Sequence, residues 1–447
     1  MRARMLITMN DYDVIVIGSG ISGLLSALAL SKKGKKVLVL EKNDYIGGVC
    51  RSYNVNGYFV DTGVHAITRL ENGPLRNMMN KYFDAIPKFT PFGKYYVRIN
   101  GKIKPFPWNI QSWIKFDLLP TKDRLFLMKA LFNTFYMMNI GKDLSTVSLN
   151  DVLPSDLSNT TKKFLDWLSY FMLGTSVENA PISRFIDNKT NKPTTIPHVE
   201  KLYNLLITEG ATDQGYPTNG LQSIIDSILS SFPKNKVEIK TNEEVIKIQG
   251  NEEIEGVDTK NGSYDCTTVI YSGFSSNLPD LYKNFPRTYV KNLKSIKNMN
   301  SLTIWLGLSK NIFKNQGSQM WINSDPYAWV ASTSNYNPKL APKGKQLVGF
   351  SFILPDEYHS AIIKKRALNT IFNTIPSIEK YIDMIHYQEL VPEKASWALN
   401  SGFGDVKTPI KNLYAVGTDT VKRSAGISRA AYSILRCLEI MKSDKSL

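Results

Sequence analysis

Four residues, Gly18, Gly20, Gly23 and Glu41, have the types and spacing that would hold a dinucleotide. Gly18 permits a tight turn, Gly20 has no side chain to keep a pyrophosphate from the backbone, and Gly23 lets a helix pack closely on a sheet. A helix opening at this turn, with Ser22 in its first residues, presents free N–H groups and partial positive charge to phosphates. Glu41, 23 positions after Gly18, is placed to accept hydrogen bonds from the adenosine ribose hydroxyls. Its charge disfavours a 2′-phosphate.

Glycine turns are common, so the flanking elements decide. Asp13–Ile17 (DVIVI) is a short apolar run rich in β-branched residues, the pattern of a buried parallel strand. The glycines follow at once. Leu24–Lys33 then reads as a helix that Gly34 stops, and Lys35–Leu40 (KKVLVL) as a second strand ending at Glu41. Strand, glycines, helix, strand and acid stand in the order that dinucleotide binding needs.

Gly47-Gly48 and Arg51 come next, then Gly57–Gly63 (GYFVDTG), Val64 and His65. Near the other end, Asn412–Val416 (NLYAV) leads into Gly417-Thr-Asp419, the turn Ser424–Ser428 (SAGIS) and a long helix over Arg429–Met441. Between them, Gly215–Asp226 (GYPTNGLQSIID) enters a helix, and Lys236–Ile239, Thr241–Val245 and Asp265–Tyr271 read as strands. Together these segments resemble the superfamily of FAD-dependent amine oxidases, phytoene desaturases and protoporphyrinogen oxidases, in three pieces covering about half the chain. Many members carry Arg directly after the glycine pair, where this sequence has Val49.

The resemblance implies an α/β fold: a discontinuous Rossmann-type, glutathione reductase-like FAD-binding domain with a mixed α+β substrate domain. The expected segments are 9–95, 210–285 and 400–447 for the first, 96–209 and 286–399 for the second. It implies FAD as cofactor, contacted by Gly18, Gly20, Ser22, Gly23, Glu41, Lys42, Gly47, Gly48, Arg51, Val64, Val245, Gly417, Asp419, Gly426 and Ile427. The helix opening at Gly426 would stabilise negative charge on the reduced flavin. His65 is either an ordinary hydrogen-bonded histidine beside the site or a proton donor or acceptor. Arg423 and Arg429 either bind an anionic substrate group or lie in solvent.

The chain has 22 Tyr, 20 Phe and 7 Trp, and the inserts hold most of this aromatic surplus. Neither carries a second GxGxxG, so a built-in NADPH domain is not expected. Leu125–Ile140 (LFLMKALFNTFYMMNI) reads as a helix apolar on most faces, either buried or dipping into a lipid interface to admit an apolar substrate.

A formal charge of +16 would suit nucleic acid, but the lysines are scattered and no nucleic-acid motif occurs. A basic surface attracted to anionic lipid, or a Lys-rich proteome, explains the charge better. Three cysteines, far apart, give no disulfide framework or CxxC pair, and four unclustered histidines give no metal site. The start of the chain lacks the apolar core of a signal peptide, and no apolar run reaches the roughly 18 residues of a membrane span. A cytoplasmic protein is expected, either free or associated peripherally with a membrane.

The leading expectation is hydride movement between flavin N5 and an apolar, isoprenoid or carotenoid-like substrate by a desaturase, reductase or isomerase. The alternatives are an amine oxidase, a protoporphyrinogen oxidase-like enzyme or a flavin-dependent sugar mutase. From another class comes a prenyl-binding protein of the GDP-dissociation-inhibitor type.

Overall fold

The computed structural model describes residues 12–187, 210 and 212–447. The readings on the first eleven residues fall outside these, as does His198, one of the four histidines.

Five parallel strands form the first sheet, in the order Val237–Lys240, Val37–Leu40, Tyr12–Ile17, Ser263–Tyr271, Leu413–Ala415. Their residues alternate between two apolar cores, as the two-residue period of a strand dictates. Val14, Val16, Val37 and Val39 face the helices Ile21–Ser31, Gln222–Ser230 and Gly426–Ser443. Ile15, Ile17, Leu38 and Leu40 face the antiparallel strands Val245–Gly250 and Ile254–Thr259, which continue from Ser263–Tyr271. Burial on both faces is why these strands read as unbroken apolar runs.

The second sheet has seven strands, in the order Ile382–Ala395, Asn298–Leu308, Gln346–Ile353, Ala328–Ala331, Gly317–Trp321, Lys94–Ile99, Lys102–Pro105. Only the Lys94–Ile99 and Gly317–Trp321 pair is parallel. Leu302, Ile304, Leu306 and Leu308 alternate toward one face, where Ile363, Ala367 and Ile371 of helix Ser360–Thr374 complete a core. Helices Ile110–Ile114, Thr121–Asn139, Asn159–Leu173 and Ile182–Asp187 lie in the other insert. The α/β architecture is the one the sequence implied.

Helix Thr121–Asn139 corrects one expectation. It is not a buried helix: its buried residues are Asp123, Ala130, Thr134 and Phe135. Leu125, Phe132 and Tyr136, with Ile140 just beyond the helix, are 60%, 42%, 65% and 62% exposed. With exposed Lys129 they follow helical spacing along one stripe. Among the described residues, no helix is long and apolar enough to cross a membrane.

Candidate cofactor and substrate site

The glycine turn joins the end of strand Tyr12–Ile17 to helix Ile21–Ser31. A Cβ on Gly23 would lie 2.0 Å from the Gly18 carbonyl oxygen, so the helix crosses the strand end too closely for any other residue. At Gly20 the same atom would meet nothing within 4 Å, leaving open space over the turn. The Gly47 N–H donates to the Ser19 carbonyl at 2.9 Å, and a Cβ on Gly48 would approach the Gly20 Cα to 3.2 Å. Two glycine motifs far apart in sequence thus form one cradle.

Glu41 is buried and fixed from both sides. One carboxylate oxygen accepts from the Ser19 N–H and hydroxyl at 2.9 and 2.8 Å; the other accepts from Asn43 N–H and Nδ2 at 3.0 and 2.8 Å. Its carbonyl receives the Glu243 N–H, which brings the approach to Val245 beside it. Lys42 is exposed and Ser22 buried. The Arg51 guanidinium packs on the rings of Tyr45 and Tyr53, 3.5 and 4.8 Å from their centroids.

Gln388, on the second sheet, fastens the segment before Val64. It accepts from the Gly63 N–H at 2.9 Å, donates to the Asp61 carbonyl at 2.8 Å and accepts from the Trp305 indole at 3.2 Å. His65 Nε2 lies 2.7 Å from the Thr62 carbonyl. A carbonyl only accepts, so Nε2 carries a proton and donates it to Thr62, which leaves Nδ1 turned away from this bond. Thr62 Oγ1 is buried and without a hydrogen-bond partner.

The C-terminal turn faces this segment. Gly417 N–H donates to Ser433 Oγ at 3.0 Å, and Asp419 accepts from the Ser275 N–H and hydroxyl at 2.7 and 3.1 Å. Burial pushes the Asp419 carboxyl up, while Ser275 and Arg429 pull against it. Gly426 and Ile427 open the last helix, capped by Ala425, which has no side-chain donor or acceptor. Arg429 lies neither in solvent nor on a substrate surface. It is 1% exposed and donates to the carbonyls of Ser424, Thr418 and Ala395.

Helices Ile21–Ser31 and Gly426–Ser443 both start without a side-chain cap. Their free N–H groups suit anionic or electron-rich atoms. With the open space at Gly20 and the orphaned Thr62 hydroxyl, the chain fits a dinucleotide flavin.

A cavity of about 550 Å³ runs from Val64, His65 and Ser424–Gly426 into an aromatic wall of Tyr95, Trp108, Trp167, Phe171 and Trp329. Its charged lining residues are Arg69, Arg184, Asp213, Glu393 and Lys394. Of these, Arg184, Glu393 and Lys394 come from inserts in which no motif marked them. Phe106, Pro107, Trp108, Leu168 and Phe185 also wall a second chamber of about 250 Å³, lined chiefly by apolar side chains and reaching Leu131 and Phe132 of the exposed-stripe helix.

Flavin containing amine oxidoreductase is the family whose model matches residues 21–380. The chain belongs to this family. It is an FAD-dependent oxidoreductase, which sets aside the non-enzymatic carrier reading. The flavoprotein is 24% identical over 371 residues to a 1-hydroxycarotenoid 3,4-desaturase of Flavobacterium sp. (strain P99-3), covering 74% of each chain. It is 51% identical over 88 residues to the human all-trans-retinol 13,14-reductase, a match spanning 19% of this chain and 14% of that protein. Its fold matches the crystal structure of an oxidoreductase from Methanosarcina mazei with a TM-score of 0.78, at 21% identity, over 96% of this chain and all of that one.

Proposed function

We propose that the flavoprotein oxidises or reduces an apolar, isoprenoid-type substrate that it takes from an anionic membrane surface. The aromatic cavity and its apolar second chamber carry this reading, because such walls suit a hydrocarbon chain better than a small polyamine. The desaturase and retinol reductase relatives support it. The exposed apolar stripe of Thr121–Asn139, interrupted by Lys129, supports entry from lipid.

In this reading the FAD phosphates lie over Gly18, Gly20, Ser22 and Gly23, with Gly47, Gly48, Lys42 and Arg51 alongside. Glu41 receives the ribose hydroxyls, and Val245 borders the adenine. Val64, Gly417, Asp419, Gly426 and Ile427 receive the ribityl and ring end. Bound FAD supplies hydride transfer to or from a substrate carbon. Gln388 holds the Asp61–Gly63 backbone in place, and the uncapped Gly426 helix end offsets negative charge. The aromatic wall excludes water, and His65 Nδ1 is the atom that accepts or returns a proton. Segments 12–95, 210–285 and 400–447 form the cofactor domain and the inserts the substrate domain.

The test is anaerobic: retinol is added to the FAD-loaded protein, and separately to protein reduced with dithionite, with putrescine as the polar comparison. Loss or recovery of flavin absorbance with retinol alone is expected. A response to putrescine alone overturns the reading.

A further inference from the structure

Glu393 and Lys394 are consecutive residues of strand Ile382–Ala395, yet both line the cavity. Neighbours on a regular strand point to opposite faces of the sheet. The register gives the reason: Lys394 stands opposite Met299 and Pro392 opposite Asn300, so Glu393 is the extra residue of a β-bulge. Such a bulge re-aims a side chain.

Two adjacent strands then hold that side chain. Ser301 of Asn298–Leu308 and Ser351 of Gln346–Ile353, both buried and both lining the cavity, donate their hydroxyls to Glu393 Oε1 at 2.6 and 3.1 Å. Oε2 accepts no hydrogen bond from the described residues and opens on the cavity. A carboxylate oxygen placed there calls for a donor. Lys394 does not supply it, since its Nζ donates to the Phe171 carbonyl at 2.5 Å and lies 5.5 Å from that ring's centroid. Its charge still offsets that of Glu393, so the site favours a neutral donor over a second cation. The strand also places the pair at the cofactor end. Gln388 fastens Gly63, and the Ala395 carbonyl accepts from Arg429, which holds the Ser424 turn as well.

We propose that the substrate carries a hydroxyl group whose O–H donates to Glu393 Oε2, with its apolar chain running along the aromatic wall. This rests on the apolar-substrate reading and adds a polar, uncharged end to it. The hydroxyl fixes that end near the Gly63 and Ser424–Gly426 segments, so the bonds nearest it are those presented to the cofactor.

The experiment is calorimetric titration of the FAD-loaded protein with farnesol, farnesyl methyl ether and farnesylamine, each below its aggregation concentration. The ether accepts a hydrogen bond but cannot donate one, so at least tenfold tighter binding of the alcohol is expected. The amine should also bind more weakly than the alcohol. Glu393→Gln turns an N–H into the cavity in place of Oε2 and should bring alcohol and ether to parity. Flavin absorbance of the variant controls for folding, and the alcohol–ether comparison in the unaltered protein does not depend on it. Equal binding of alcohol and ether by the unaltered protein overturns the hydroxyl and leaves the apolar reading standing. Tightest binding of the amine, or a preference for the alcohol retained in Glu393→Gln, also overturns the proposal. Absence of binding by any of the three overturns both readings.

Discussion

Arg429 grips the Ser424 carbonyl from two sides, Nε at 3.1 Å and Nη2 at 2.9 Å. Ser424 holds a left-handed backbone with φ of 61°, a conformation that costs a non-glycine residue free energy and persists when its surroundings fix it. The same guanidinium reaches Thr418 and Ala395, so one side chain ties the turn before the last helix to the second sheet. Arg429→Met leaves three buried carbonyls short of a donor, at a cost on the order of 3 kcal/mol. A lowered Tm and at least tenfold weaker FAD binding are expected. The check is thermal denaturation of the FAD-free protein alongside FAD titration.

The two glycines of the first turn should separate fold from cofactor. Gly23→Ala places a methyl 2.0 Å from the Gly18 carbonyl oxygen and should destabilise the FAD-free protein. Gly20→Val meets no protein atom within 4 Å of its Cβ. It should change FAD-free stability by no more than about 1 kcal/mol while abolishing FAD binding. Equal Tm losses in the two variants would contradict this separation.

The sequence made the cofactor and the fold legible because their determinants are local. Gly18 to Glu41 is one strand–helix–strand unit whose glycine positions follow from backbone geometry, and Gly417–Ser428 likewise sits at one strand end and one helix start. The inward direction of Arg429 was not legible, because one helix position says nothing until the neighbouring carbonyls of Ala395 and Thr418 are placed. Arg184 and Lys394 belong to inserts without a motif. Lys394 reaches the cavity only through the register of Ile382–Ala395 on Asn298–Leu308, which shifts between Met299 and Asn300. The Thr121–Asn139 helix is apolar on both its packed and its exposed face, so periodicity did not separate the two.

Enclosure brings the Lys394 ammonium down to about 8, with Glu393 opposing and Arg429 adding to the shift. Part of its surface faces the cavity, not bulk water. The unfolded chain, with the ordinary lysine value near 10.5, binds more protons than the folded one between these limits. Stability therefore rises with pH from about 8 toward 10.5. Compared with Lys394→Met across that window, the unaltered protein should gain Tm as pH increases. Parallel curves would place the lysine outside this environment.

The exposed stripe should govern attachment to lipid. Vesicles containing an anionic lipid should carry the protein upward in a flotation assay. Replacing Leu125, Phe132 and Tyr136 with serine should reduce that fraction at least tenfold, since burying each such side chain is worth roughly 1.5–3 kcal/mol. Unchanged flotation of the triple variant would locate any membrane contact elsewhere.

The measurement that bears most directly on the site is a crystal structure of the FAD-loaded protein. The phosphates are expected between Gly20 and Gly48, the ribose hydroxyls on Glu41, and the flavin ring between Val64 and Gly426 with its open face toward the aromatic cavity. A ring placed away from that cavity, or phosphates that do not approach Gly20, would contradict the proposed site.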